Sequence, residues 1–129
     1  MAKQQIHTQR LAEPVAHYSQ AVSIDAKGKL VFISGMTARR PDGRIAGIGD
    51  IEAQTRQVCE NLKAVLEAAG SSLDNVVKVT IYMVDLGELM EMNDIFSRYF
   101  PVDPPARTTF QCVALVGGAR VEIEAVATV

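Results

Sequence analysis

One segment in the middle of the chain constrains the fold most. From Asp50 to Ala69, apolar residues recur every three or four positions, as on the buried face of an amphipathic helix. The apolar positions are Ile51, Val58, Leu62, Val65, Leu66 and Ala69. Asp50 is a typical N-cap, and Gly70 is a typical helix stop. The sequence therefore predicts one helix here, with a face that must pack against another layer.

Strand-like segments lie on both sides of this helix. Residues 18–24 and 30–33 flank the turn signal 25–28 and predict a hairpin. Residues 76–84 are rich in β-branched side chains and predict a third strand. Residues 106–115 and 120–128, joined through Gly117-Gly118, predict a second hairpin.

A second helix follows the third strand. Asp85 and Glu88 have the spacing of a capping box, and the helix should end near Phe100, before Pro101. The resulting order, ββαβαββ, predicts an α+β fold with a mostly antiparallel sheet and both helices on one face. The 129 residues fit a single domain, 1–129.

The other sheet face must be solvated or covered by another subunit. In the last strand, the residues that alternate with the apolar ones are Arg120, Glu122, Glu124, Val126 and Thr128. This face is mixed rather than strongly charged, so it is compatible with an oligomer interface that contains polar pockets.

Composition argues against several classes of function. The net charge is -2 and the longest basic run is Arg39-Arg40, so no nucleic-acid partner is expected. Cys59 and Cys112 form no metal-binding motif, and no phosphate-binding or cofactor motif appears. We expect no metal, no cofactor and reduced thiols. Neither a signal peptide nor a membrane-spanning apolar run is visible, which predicts a cytoplasmic protein.

Three charged residues could carry chemistry. Arg107 follows the stiff connector 103–106, and a guanidinium fixed in this way suits a substrate carboxylate. The alternative is an exposed arginine at a strand end. Glu122 and Glu124 share one strand face and could do acid–base work, or they could form an acidic edge or an interface salt bridge.

Polar residues in apolar or turn settings are further candidates. Asn93 lies on a mainly apolar helix face, so it either ties backbone segments together or lines a cavity. Ser34-Gly35 ends a predicted buried strand, where a hydroxyl and free amides could hold an anion, although a turn serine is the simpler interpretation. Tyr18 and His17 lie at the start of the first predicted hairpin, and His17 is more typical of a surface histidine.

Two further segments show a specific similarity. Residues 105–107 (Pro-Ala-Arg), followed by 121–125 (Val-Glu-Ile-Glu-Ala), resemble the signature of the Rid (reactive intermediate deaminase, YjgF-like) family. Other landmarks of that family occur in order at residues 18–21, 34–35, 61–70, 77–82 and 85–86, and at Asn93 before Phe96. The resemblance covers almost the whole chain.

The resemblance implies a chorismate-mutase-like α+β fold and a homotrimer with sites between subunits. It implies hydrolysis of enamines and imines such as 2-aminoacrylate to 2-oxo acids and ammonia. Arg107 would bind the substrate carboxylate and Glu122 would position water. The residues expected to line the substrate pocket are Tyr18, Ser34, Gly35, Asn93 and Thr109.

The chain also departs from the family pattern. Thr109 replaces the usual cysteine, Ala16-His17 the usual Gly-Pro, and Met36 the usual glutamine. A 2-aminomuconate-type substrate, a non-catalytic carboxylate-binding regulatory trimer and an RNA-acting protein therefore stay open as alternatives.

The predicted second hairpin raises a difficulty. If Gly117-Gly118 form a two-residue turn, Val113 faces Glu122, and Arg107 lies roughly 20 Å farther along the strand. Either the register is shifted, or Arg107 and Glu122 meet across a subunit boundary; we favour the boundary.

Overall fold

The computed structural model describes residues 3–25 and 27–129. Strands β1 (Gln4–Ile6) and β2 (Ala21–Ser23) form a small antiparallel sheet. The remaining elements are β3 (Leu30–Met36), α1 (Ile51–Ala68), β4 (Val76–Met83), α2 (Leu89–Tyr99), β5 (Ala106–Gln111) and β6 (Val121–Thr128). The larger sheet has the order β3-β6-β4-β5, and only the β4–β5 pair is parallel. The predicted α+β fold is confirmed, and so is the order ββαβαββ from β2 onward.

Both helices begin near their predicted caps. The Asp50 side chain accepts a hydrogen bond from the Ala53 amide at 3.1 Å, and Gly70 follows α1 with a φ of +78°. Asp85 accepts from the Gly87 amide at 2.8 Å. That contact caps a single 3₁₀ turn, and α2 follows it from Leu89.

The core lies between the helices and one face of the larger sheet. Val121, Ile123, Ala125 and Ala127 of β6 are buried on this face, as the alternation predicts. The opposite face carries the mixed side chains of β6 together with exposed aromatic residues. Phe32 on this open face is 74% exposed, which leaves a large apolar surface uncovered in the single chain.

The first predicted hairpin is wrong. Strand β2 pairs with β1, which lies in the polar N-terminal tail (residues 1–11) where the sequence predicts no strand, and β3 pairs with β6. A turn signal predicts that the chain reverses, but it does not determine which edges form hydrogen bonds. Ala26 of that predicted turn, like Met1 and Ala2 of the tail, lies outside the described residues.

The second predicted hairpin is also wrong, because β4 lies between β5 and β6. Val76, Val79 and Ile81 of β4 are fully buried. A strand as apolar as β4 is most stable in the interior of a sheet, with a neighbouring strand on each side. The chain between β5 and β6 is long enough to pass the end of β4. Consequently Glu122 lies opposite Tyr82, not Val113.

Candidate active site

Arg107 is held between β5 and α2. It lies opposite Val79, so its side chain points to the helix-covered face of the sheet. Its Nη2 donates to Asn93 Oδ1 at 2.7 Å, and its Nε donates to Thr109 Oγ1 at 2.9 Å. Both acceptors are neutral. The guanidinium is thus oriented by hydrogen bonds that leave its charge uncompensated.

Aromatic rings enclose the same guanidinium. Its Cζ lies 5.2 Å from the ring centre of Phe96 and 6.0 Å from that of Tyr18. Its Nη1 is buried without a hydrogen-bond partner among residues 3–25 and 27–129, which also place no carboxylate within ion-pair distance of it. Burial lowers the pKa of Arg107 to about 10, an effect that Tyr18 partly opposes.

Arg107 lines a cavity of about 270 Å³. The other main lining residues are Val15, Tyr18, Leu86, Leu89 and Thr109, all of them uncharged. A half-buried positive charge is costly without a counter-charge, so a cavity of this kind suits a small anion. Leu86 and Leu89 did not emerge as site residues from the sequence, although Leu89 lies one helical turn before Asn93.

Tyr18 is placed over Arg107 by its chain neighbours. The Ser19 amide donates to the carbonyl of Pro105 at 3.2 Å, and the Ser19 hydroxyl donates to that of Pro104 at 2.6 Å. His17 Nε2 donates to the Phe100 carbonyl. His17 is half-buried rather than a surface histidine, and it helps to hold the segment that carries Tyr18.

Glu122 lies in a second cluster, beside a bulge in β3. Ile33 pairs with Ala125 and Met36 with Ile123, so β3 contains one extra residue at Ser34-Gly35. A Cβ atom on Gly35 would come within 2.1 Å of Glu122 Oε2. Only glycine therefore leaves room for the carboxylate in this position. Ser34 lies on the same bulge.

Gly35→Ala should displace the Glu122 carboxylate while leaving the fold intact, since the flexible end of a side chain is what must move. If Glu122 has the water-positioning role that the family resemblance implies, kcat on an imine substrate should fall about tenfold or more, with little change in Tm. In a Glu122→Gln background, the same substitution should cost almost nothing further. Equal losses in both backgrounds would contradict this role of Gly35.

The second cluster borders a larger cavity of about 630 Å³. Among its lining residues are Gly35, Arg39, Arg40, Asn61, Val116 and Glu122. Glu124 has a different environment, because it accepts a hydrogen bond from the Tyr82 hydroxyl at 2.5 Å and so raises the pKa of that phenol. Of the two glutamates, Glu122 is the one that lines this cavity.

A single chain does not bring the predicted site residues together. Tyr18, Asn93, Arg107 and Thr109 form one cluster, and Ser34, Gly35 and Glu122 form the other. From the strand pairings, Arg107 and Glu122 lie about 10 Å apart along β4 and about 10 Å across the sheet, or roughly 14 Å in all. They also point to opposite faces.

Neither cysteine lines either of the two cavities. Cys59 is fully buried, and burial raises the pKa of its thiol to about 12, so it stays protonated and unreactive at neutral pH. Within the described part of the chain, no group of three His, Cys, Asp or Glu residues could hold a metal ion. Nor does this part contain a helix long and apolar enough to cross a membrane.

Comparison with known proteins identifies the family. The family model described as Endoribonuclease L-PSP matches residues 8–129. A crystal structure of YyfB from Yersinia pestis, a Rid-family protein of unknown function, superposes with a TM-score of 0.90 at 31% identity and full coverage of both chains. The chain belongs to the Rid family.

Relatives of this Rid protein carry different names. Protein DfrA of Myxococcus xanthus is 44% identical over 127 residues, which cover 98% of this chain and 96% of that protein. A mouse protein named 2-iminobutanoate/2-iminopropanoate deaminase is 36% identical over 122 residues, which cover 95% of this chain and 88% of that protein. A relative that is named as an imine deaminase thus aligns with nearly the full length of this Rid protein.

Proposed function

We propose that this Rid protein hydrolyses short-lived 2-imino and 2-enamino acids to 2-oxo acids and ammonia, in the cytoplasm and without a cofactor. One observation carries the proposal: the Arg107 guanidinium, half-buried beside a small cavity, has neutral partners on two nitrogens and no carboxylate partner among the described residues. A substrate carboxylate would supply the missing charge. The name of the mouse relative supports the reaction.

The reaction needs few groups because the substrate is already reactive. An enamine first takes a proton on carbon and releases a proton from nitrogen, which gives an imine. Water then adds to the imine carbon as Glu122 accepts a proton from it, and the proton passes to nitrogen. The hydroxyl proton of the resulting carbinolamine is then transferred to nitrogen, the carbon–nitrogen bond breaks and a carbonyl forms, so that imine and water yield a 2-oxo acid and ammonia. Orientation by Arg107 and one proton-transfer group suffice for this sequence.

We further propose that the site is completed between subunits of a homotrimer. Arg107 and Glu122 lie towards opposite ends of the strand order, on opposite faces. In a cyclic trimer each contact joins two different surfaces, so the Arg107 cluster of one subunit can meet the Glu122 cluster of the next. The exposed aromatic residues of the open sheet face, Phe32 and Phe110, would be covered in such an assembly.

The molar mass of the protein in solution tests the proposed homotrimer. Static light scattering at micromolar concentration should give three times the 14.0 kDa chain mass. We expect a trimer because assembly would cover the exposed aromatic residues of the open sheet face. A stable monomer that is active on an imine would contradict a site shared between subunits.

A coupled assay separates this function from the alternatives. A dehydratase that generates 2-aminoacrylate is mixed with the protein, and release of 2-oxo acid is followed alongside the integrity of added RNA. We expect accelerated oxo-acid release and intact RNA, since the chain has a net charge of -2 and no basic stripe. Binding without turnover would instead favour a carboxylate-sensing trimer. RNA cleavage would instead favour an endoribonuclease, the activity for which the matching family model is described.

A further inference from the structure

The larger cavity is lined by two exposed arginines that the proposed hydrolysis does not use. Arg39 and Arg40 line it beside Glu122. The two salt bridges within residues 3–25 and 27–129, those of Arg98 and Arg120, involve neither of them. The charged lining of this cavity therefore consists of two guanidiniums and one carboxylate, and that carboxylate has a role in activating water.

The segment that carries these arginines is held in place. Residues 37–49 lie between β3 and α1 and form no helix or named strand. The Asn61 amide of α1 donates to the carbonyls of Thr37 and Arg39 in this segment, both at 2.9 Å. The Arg40 amide donates to the Arg44 carbonyl at 2.8 Å, which closes a tight turn. The backbone beneath both guanidiniums is thus ordered before any ligand binds, which lowers the entropic cost of binding.

The geometry points to a substrate with two carboxylates, that is, a 2-imino or 2-enamino dicarboxylic acid. This inference rests on the proposed function. Arg107 of one subunit would bind the carboxylate next to the imine carbon, and Arg39 and Arg40 of the next subunit would bind the distal carboxylate, beside Glu122.

Charge and space both favour this class of substrate. An apolar substrate tail would gain nothing from two guanidiniums and would partly desolvate them, whereas a carboxylate would pair with them. The cavity beside Glu122, about 630 Å³, is also larger than the one of about 270 Å³ beside Arg107. It can therefore accept the longer end of an extended diacid.

The test compares two imines of equal length that differ in distal charge. Imines of glutamate and of glutamine are generated in situ by amino-acid oxidases, and hydrolysis above the spontaneous rate is measured. We expect kcat/KM to be about tenfold higher for the glutamate imine. The double variant Arg39→Gln/Arg40→Gln should bring this ratio close to one. Arg44→Gln, on the same loop but outside the cavity lining, should keep the ratio.

The possible outcomes distinguish a failure of the dicarboxylate inference from a failure of the proposed deaminase function. If both imines are hydrolysed at equal rates, or if the double variant keeps the preference while remaining folded, the dicarboxylate class is wrong and the deaminase function stands. If neither these imines nor that of alanine is hydrolysed, the proposed function fails, and the inference fails with it.

Discussion

Replacing Arg107 with lysine should lower kcat/KM for a 2-imino acid by about a hundred- to a thousandfold. Arg107 satisfies Asn93 and Thr109 with two nitrogens at 2.7 and 2.9 Å. A lysine ammonium keeps the charge but cannot reach both acceptors and also present a planar fork to a carboxylate. Alanine, which removes the charge as well, should be at least as damaging. The coupled 2-aminoacrylate assay measures both variants.

The matched control is Arg98→Lys on α2. Arg98 forms an exposed ion pair with Asp94 at 2.8 Å and does not line the Arg107 cavity, so this variant should retain full activity. Near-normal kcat/KM for Arg107→Ala, with the fold intact, would remove Arg107 from the site.

Asn93→Asp should separate activity from stability. The carboxylate keeps the oxygen that accepts from Arg107 Nη2 and adds the negative charge that the described part of the chain does not supply there. Arg107 would then have an internal partner that competes with the substrate. We expect KM to rise about a hundredfold, while Tm stays the same or increases. Steady-state kinetics and thermal unfolding at the same pH measure the two effects.

The neighbouring Asp94 provides the opposite change in charge. Asp94→Asn alters an exposed residue on the same helix and should change neither KM nor the fold beyond the loss of a surface pair. An Asn93→Asp protein that binds substrate normally would show that the uncompensated charge of Arg107 is not what attracts the substrate.

Local signals predicted the helices well and the sheet only in part. Asp50, Gly70 and the apolar period between them act within a few residues, so the sequence locates α1 closely. Strand pairing depends on edges far apart in the chain. Nothing near Ala21–Ser23 indicates that β1 will be its partner, and the glycines at 117–118 look the same in a hairpin and in a longer crossing loop.

The candidate site, like the sheet, depends on contacts between segments that are far apart in the sequence. Local pattern alone left Arg107, Asn93 and Glu122 with structural alternatives, and the family resemblance singled them out. The bond from Arg107 to Asn93 joins β5 to α2, and the close approach of Gly35 to Glu122 joins β3 to β6. Such contacts between distant segments have no signature in the neighbouring residues.

We propose that Arg107 and Glu122 act together from different subunits, and mixing two inactive variants tests this arrangement most directly. Arg107→Ala and Glu122→Gln chains are combined in equal amounts under conditions of subunit exchange, and imine hydrolysis is measured. If each cleft takes Arg107 from one subunit and Glu122 from the next, about a quarter of all clefts in a randomly mixed population of trimers contain both intact residues. Activity should therefore recover to about a quarter of that of the unchanged protein. No recovery, with hybrid trimers verified by mass spectrometry, would contradict the claim.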